Sequence, residues 1–177
     1  MSKSIQLPLP VPDENNCVEI PLTQEKTAII DAADYPLVSQ YKWCAHKVGY
    51  TFYAATNITD EHGRRMLLHV HRLITNAPKG MDVDHINGNG LDNRTRNLRL
   101  ATHAQNSRNS SKVKGTSRFK GIHFYTRTGK WQAQIQASGK RYGLGYFDDE
   151  VEAAKAYDAK ARELFGEFAR CNFPKRS

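Results

Sequence analysis

The chain has 177 residues, 39% of them hydrophobic, and a formal net charge of +8, which leaves room for one ordinary domain or two small ones. No apolar run is long enough to cross a bilayer, and the N-terminus lacks the charged, apolar, small-residue order of a secretory signal, so the sequence argues against a membrane or secreted protein and for a cytoplasmic one. Residues 1–60 hold four lysines against seven acids, so the positive excess falls on residues 61–177, the electrostatic footprint of a polyanion binder.

In chain order, residues 1–16 are proline-rich and polar and predict a flexible tail. Residues 17–70 predict a small β-rich region, with strands over 18–20, 27–30, 41–44, 50–58 and 66–70 and turns at Gly49 and 60–63. Residues 71–109 form the densest stretch: a short helix ending in a turn by residue 80, a strand over 81–86, an Asn-Gly loop over 87–90, and a strand over 98–102. A helix then runs from His103 to Asn109, capped by Thr102. Residues 110–117 predict a basic linker. Residues 118–174 predict three strands, over 121–124, 130–137 and 140–147, and an amphipathic helix over 148–165 with Val151, Ala154, Tyr157, Ala161, Leu164 and Phe165 on one face. The expected class is α+β. Cys17, Cys44 and Cys171 form no CxxC pair, and an odd, scattered set predicts free thiols in a reducing compartment.

Hydrolysis of a phosphodiester needs a nucleophile, a means of spreading negative charge and help for the leaving oxygen; a divalent ion supplies the last two, and an imidazole near neutrality deprotonates water. Side chains of adjacent strand residues point to opposite faces, so Asp84 can face an ion while His85 faces the attacking water. Asn106, on the predicted helix, offers a second oxygen ligand, and oxygen donors suit a hard ion: Mg²⁺, with Mn²⁺ as the alternative. Asn97 is expected to hydrogen-bond His85 and fix its tautomer. His71 and His103 are secondary candidates; His69 and His71, two apart, are expected to share one strand face. Arg94, Arg96 and Arg99 are expected to contact phosphates.

The run VDHINGNGLDNRTRNLRLATHAQN resembles the ββα-metal motif of HNH endonucleases of the phage and homing type, through its Asp-His pair, Asn-Gly loop, Asn-Leu-Arg strand and helical Gln-Asn, with the preceding HRLI segment also typical. The resemblance implies His85 as general base, Asp84 and Asn106 as metal ligands, Asn97 as the residue that orients the base, and DNA cleavage to a 5′-phosphate and a 3′-hydroxyl. Residues 118–174, through LGYF, EAAKAYD and NFP, resemble the plant ethylene-response-factor (APETALA-type) domain. In that fold a three-stranded sheet packed on one helix enters the major groove of DNA. Lys120, His123, Tyr125, Arg127, Gln132, Gln134 and Arg141 are the expected DNA-facing residues, and Trp131 is expected to pack. His123 and Tyr125 stand where arginines are usual and Gly143 where an aromatic is usual, so the plant domain's target does not transfer. The expected protein is a duplex-DNA nuclease of a bacterial or phage-infected cell, monomer or homodimer, nicking one strand per site. The alternative is a DNA-binding regulator with a vestigial nuclease centre.

Overall fold

Short β-prone runs separated by turns become small antiparallel sheets. The computed structural model describes residues 16–108 and 117–173; the predicted tail up to residue 15, the linker over 110–116 and Pro174 of the NFP run lie outside the described residues. The architecture is α+β, as the sequence predicts. Two compact units emerge, Met1–Ala101 and Thr102–Ser177.

In the first unit, β1 (Cys17–Pro21) pairs with β2 (Thr27–Asp31). A 3-10 turn at Ala32–Asp34 and the short helix α1 (Tyr35–Val38) follow. Strands β3 (Cys44–Val48), β4 (Thr51–Thr59) and β5 (Arg65–His69) form a meander in the order β3-β4-β5. Helix α2 (Val70–Thr75) leads to the two-stranded ribbon of β6 (Asp82–His85) and β7 (Leu98–Ala101). Val18, Ile20, Ala28, Ile30, Val38, Trp43, Ala54 and Val70 form one buried cluster.

One expectation shifts here. The strand predicted over 41–44 begins only at Cys44, because Trp43 is used to fill the core: it is buried and its indole N–H donates to the Val38 carbonyl at 2.8 Å. The short helix ending in a turn that is predicted within 71–80 forms as expected: it ends at Thr75, where Asn76 closes it in the left-handed region at φ 45°.

The N-terminal ribbon also shapes the segment between β6 and β7. The Ile29 N–H donates to the Leu91 carbonyl (2.8 Å), the Asn93 N–H donates to the Ile29 carbonyl (2.7 Å), and the Thr95 N–H donates to Asp31 Oδ2 (2.8 Å). The edge of β2 therefore serves as a rail for residues 91–95, and the β-rich region is a scaffold for the loop between β6 and β7.

In the second unit, α3 (His103–Arg108) opens with a capping box: the Thr102 N–H donates to Gln105 Oε1 (2.8 Å) and the Gln105 N–H to Thr102 Oγ1 (3.3 Å). Strands β8 (Ile122–Tyr125), β9 (Lys130–Ala137) and β10 (Lys140–Phe147), in the order β10-β9-β8, carry α4 (Glu150–Phe165), capped by Asp149. Alanines 153, 154 and 161 with Tyr157 let the helix lie close on Ile122, Ala133 and Ile135. Gly121 holds φ 77° directly against the Tyr157 ring, where no side chain fits. The buried Asp158 carboxylate accepts from the Asn172 and Phe173 N–H groups at 2.7 Å each. Asn172 Oδ1 in turn accepts from the Lys120 N–H at 2.7 Å, tying the chain end to the start of β8.

Candidate active site

Asp84 and His85 are neighbours at the end of β6, and both are buried, at 4% and 5% exposure. The His85 ring donates from Nε2 to Asn93 Oδ1 at 3.3 Å, and the Asn93 amide is oriented by its own N–H donation to the Leu91 carbonyl at 3.2 Å. With the proton on Nε2, the neutral ring carries its basic lone pair on Nδ1. Burial holds the His85 pKa below the ordinary histidine value, which keeps the ring neutral and able to take a proton.

Asn97 was expected to hold this ring, but its amide is used elsewhere. Its Oδ1 accepts from the Asn87 N–H (3.0 Å), and its Nδ2 donates to the Asp92 carbonyl (2.7 Å) and to Asn87 Oδ1 (3.1 Å). Asn97 thus staples the loop that carries Asn93, and Asn93 contacts the imidazole. The sequence signal for Asn93 was its place beside Asp92 in a loop too polar to pack by apolar contacts.

The arginines also depart from expectation. Arg94 forks onto the Asp92 carboxylate, Nε to Oδ1 at 2.7 Å and Nη2 to Oδ2 at 2.6 Å, which holds the Asp92 pKa below the carboxylate range. Arg99 stands opposite Asp84 in the β6–β7 register and donates to its Oδ2 from Nε (2.9 Å) and Nη2 (2.6 Å). Both are engaged with carboxylates of their own loop and strand pair, and only Arg96 of the three is exposed.

Around His85 lies an aromatic cluster that the sequence did not predict. His69 ends β5 and His71 sits in α2, yet their rings stack at 5.1 Å with a 23° interplanar angle. They were expected to share one strand face; the helix start at Val70 brings them together instead. The His71 ring meets His85 edge-on at 5.1 Å, and Tyr53 of β4 lies 5.6 Å from His71 and 5.8 Å from His85. Tyr53's hydroxyl pKa is pushed up by burial and then by the Asp84 charge. Gly90 of the loop rests on this tyrosine.

His71 is 8% exposed, and its Nδ1 has no hydrogen-bond partner. Burial first, then His85, His69 and Arg72, push its pKa down from 6.5 to about 3. The folded chain therefore binds fewer protons at this ring than the unfolded chain between those values. Its contribution to stability is complete above pH 6.5 and is lost as pH falls toward 3. From pH 7 to pH 5 the loss from this one ring is expected to be about 2 kcal/mol. The groups facing it are His69 from β5, Tyr53 from β4 and His85 from β6, with Arg72 on its own helix. Urea unfolding at the two pH values checks this: His71→Phe should flatten the slope by that amount, and an unchanged slope refutes the assignment.

Among the described residues no group of three or more His, Cys, Asp or Glu side chains is arranged to hold a metal ion. The buried Asp84 carboxylate is an oxygen donor of the type a hard ion takes, and in this structure it is engaged by the Arg99 guanidinium. An ion such as Mg²⁺ keeps several waters and can be held by one carboxylate together with substrate phosphate oxygens. Asn106 lies on α3 in the second unit, half-buried, and His103 on the same helix is exposed.

On the second unit, alternation along β9 sends Ala133 and Ile135 inward, and Trp131 packs with them against α4, 5.0 Å from Phe124. Gln132 and Gln134 occupy the other face. The register adds His123 opposite Gln132, Tyr125 opposite Lys130, Tyr146 opposite Gln132 and Arg141 opposite Gln136. Tyr125 and Tyr146 rings approach to 5.5 Å, and Gln132 donates to the Tyr146 hydroxyl at 3.2 Å. Arg127 is exposed in the β8–β9 turn. Lys120 does not join this face: it precedes β8, half-buried, with its peptide group bracketed by Asn172. Tyr146 was missed because the register break between Gly143 and Gly145 reverses the alternation along β10.

Residues 69–108 match the HNH endonuclease family model. The chain is 36% identical to an uncharacterized HNH endonuclease of Acanthamoeba polyphaga mimivirus over 149 residues, covering 82% of this chain and 74% of that one. It is 38% identical to protein 3.8 of Escherichia phage T7 over 94 residues, 52% of this chain and 77% of that one. A shorter stretch of 58 residues, 33% of this chain, is 43% identical to an AP2-like ethylene-responsive transcription factor of Arabidopsis thaliana, of which it covers 12%.

Proposed function

The chain belongs to the HNH endonuclease family, and on that footing we propose that it hydrolyses phosphodiester bonds of duplex DNA with one divalent ion, leaving 5′-phosphate and 3′-hydroxyl ends. The observation that carries this reading is a buried, neutral imidazole, held at Nε2 by Asn93, immediately beside a buried carboxylate inside the matched segment. His85 takes the proton from the attacking water at Nδ1. Asn93 holds the ring in the tautomer that makes Nδ1 basic, and Asn97 keeps the loop bearing Asn93 closed. Asp84 supplies one oxygen ligand; on sequence register alone, Asn106 supplies the second. The ion, Mg²⁺ or Mn²⁺, would spread charge on the phosphate and stabilise the departing 3′ oxygen.

The exposed sheet face of the second unit supports a DNA-gripping role for His123, Tyr125, Gln132, Gln134, Arg141 and Tyr146, with Arg127 at its rim. Aromatic and amide groups on a basic chain suit groove and backbone contacts. No helix among the described residues is long and apolar enough to cross a membrane. The relative from Escherichia phage T7 supports action inside a bacterial or phage-infected host cell. One centre per chain predicts nicks from a monomer.

The test is conversion of supercoiled plasmid to open circles. Mg²⁺ should support it, EDTA should abolish it, and DNA ligase should reseal the product, since only 5′-phosphate and 3′-hydroxyl ends are joined. Duplex binding with intact plasmid in every metal tried would overturn the enzyme reading in favour of a regulator with a vestigial centre.

A further inference from the structure

The Asp84 carboxylate is the group that the proposed reaction commits to an ion, yet Arg99 already lies on it. Asp84 and Arg99 are direct cross-strand partners, and the guanidinium donates to Oδ2 from Nε at 2.9 Å and from Nη2 at 2.6 Å. Their side chains are 4% and 13% exposed, so water does little to screen the pair. The two charges sum to zero. An incoming divalent cation therefore meets a carboxylate whose field is cancelled by a fixed positive charge within a few ångströms. A phosphodiester carries one negative charge and presents oxygens that a guanidinium binds as well as it binds a carboxylate.

We propose that Arg99 is a positioning residue that couples ion binding to DNA binding: it holds the ion site electrically neutral until a backbone phosphate arrives. The idea rests on the nuclease reading above and extends it. Without DNA, the ion competes with Arg99 for Asp84 and binds weakly. With DNA, the phosphate gives Arg99 a second anion and gives the ion a second ligand, so each tightens the other. Such coupling is reciprocal by linkage. It confines the charged, ion-loaded state to the DNA complex, and it explains why an arginine on the metal-facing side of the ribbon is compatible with metal-assisted chemistry.

Mn²⁺ binding to the full chain, followed by the electron paramagnetic resonance of free Mn²⁺, tests this in a His85→Ala background that leaves DNA uncut. A random-sequence duplex should tighten Mn²⁺ binding at least about tenfold. Arg99→Gln should bind Mn²⁺ at least about tenfold more tightly without DNA and lose most of the tightening by duplex; tenfold is about 1.4 kcal/mol. Arg99→Lys, which keeps the charge, should retain the coupling. If Arg99→Gln binds Mn²⁺ no better than its parent, or worse, Arg99 merely braces the strand pair and the proposal fails. The Arg99 Nε–H resonance of the parent chain tests it without a substitution at Arg99. That resonance should stay put with Mg²⁺ alone and move when Mg²⁺ and duplex are both present; movement with Mg²⁺ alone overturns the proposal. Plasmid nicking by the wild-type chain separates the two levels. Nicking with uncoupled ion binding removes only the role of Arg99, whereas a chain that neither nicks nor binds ion removes the nuclease reading with it.

Discussion

Replacing His85 by alanine is expected to lower the nicking rate by about 10³-fold or more while leaving duplex affinity within about twofold. Positioned general bases contribute on the order of 10²–10⁴-fold, and His85 is the chain neighbour of Asp84 with its ring held by Asn93. The His71 ring is nearby but is pushed down to about 3, too weak a base for the task at neutral pH. Asn93→Ala probes the same step indirectly. It removes the acceptor at Nε2, so the ring loses its fixed tautomer, and a loss of about 10- to 100-fold in rate is expected with little change in substrate affinity. The acidic limb of its pH–rate profile should also move, which a purely structural defect would not cause. Single-turnover nicking, with duplex binding measured in parallel, decides the matter. A His85→Ala chain within tenfold of wild type would remove His85 from the role of base.

Much of this site was legible in the sequence because its parts are local. The Asp84-His85 pair, the Asn-Gly loop, the Thr102 cap and the alanine face of α4 each depend on a few neighbouring residues, and each forms close to where patterning puts it. What the sequence hid depends on register and on distant chain. Asp84 meets Arg99 only because the twelve residues 86–97 close the ribbon in one particular register; shifted by one, Arg99 would face the other side and be free for a phosphate. Asn93 displaces Asn97 at the imidazole because β2, some sixty residues upstream, fixes the Asn93 backbone through Ile29. The His69–His71 stack exists because a strand turns into a helix between them, and periodicity cannot show that two residues on different elements share a face. Trp43 read as a strand residue by propensity alone; its indole N–H found a helix-end carbonyl that a strand assignment does not foresee.

Gly90→Ala is expected to destabilise the first unit by about 3 kcal/mol and to reduce nicking by about 10²-fold even where the chain remains folded. A β-carbon at position 90 would lie 2.5 Å from the Phe52 carbonyl oxygen and 2.6 and 2.7 Å from the Tyr53 ring. The first of these is backbone in the central strand β4, so it cannot yield by a side-chain rotation, and the loop must lift instead. Lifting residues 89–91 strains the Leu91 and Asn93 bonds to Ile29, and with them the amide that orients His85. Tyr53 is pressed at the same time toward the rings it meets, His69, His71 and His85. Stability and rate should therefore fall together. Gly63→Ala is the comparison: that glycine, in the β4–β5 turn at φ 76°, has nothing within 4 Å of the added carbon. It should cost only about 1 kcal/mol of backbone strain and leave nicking unchanged. Urea unfolding and single-turnover nicking of both variants check the pair, and equal effects at the two glycines would mean that the contact with Phe52 and Tyr53 does not position the loop.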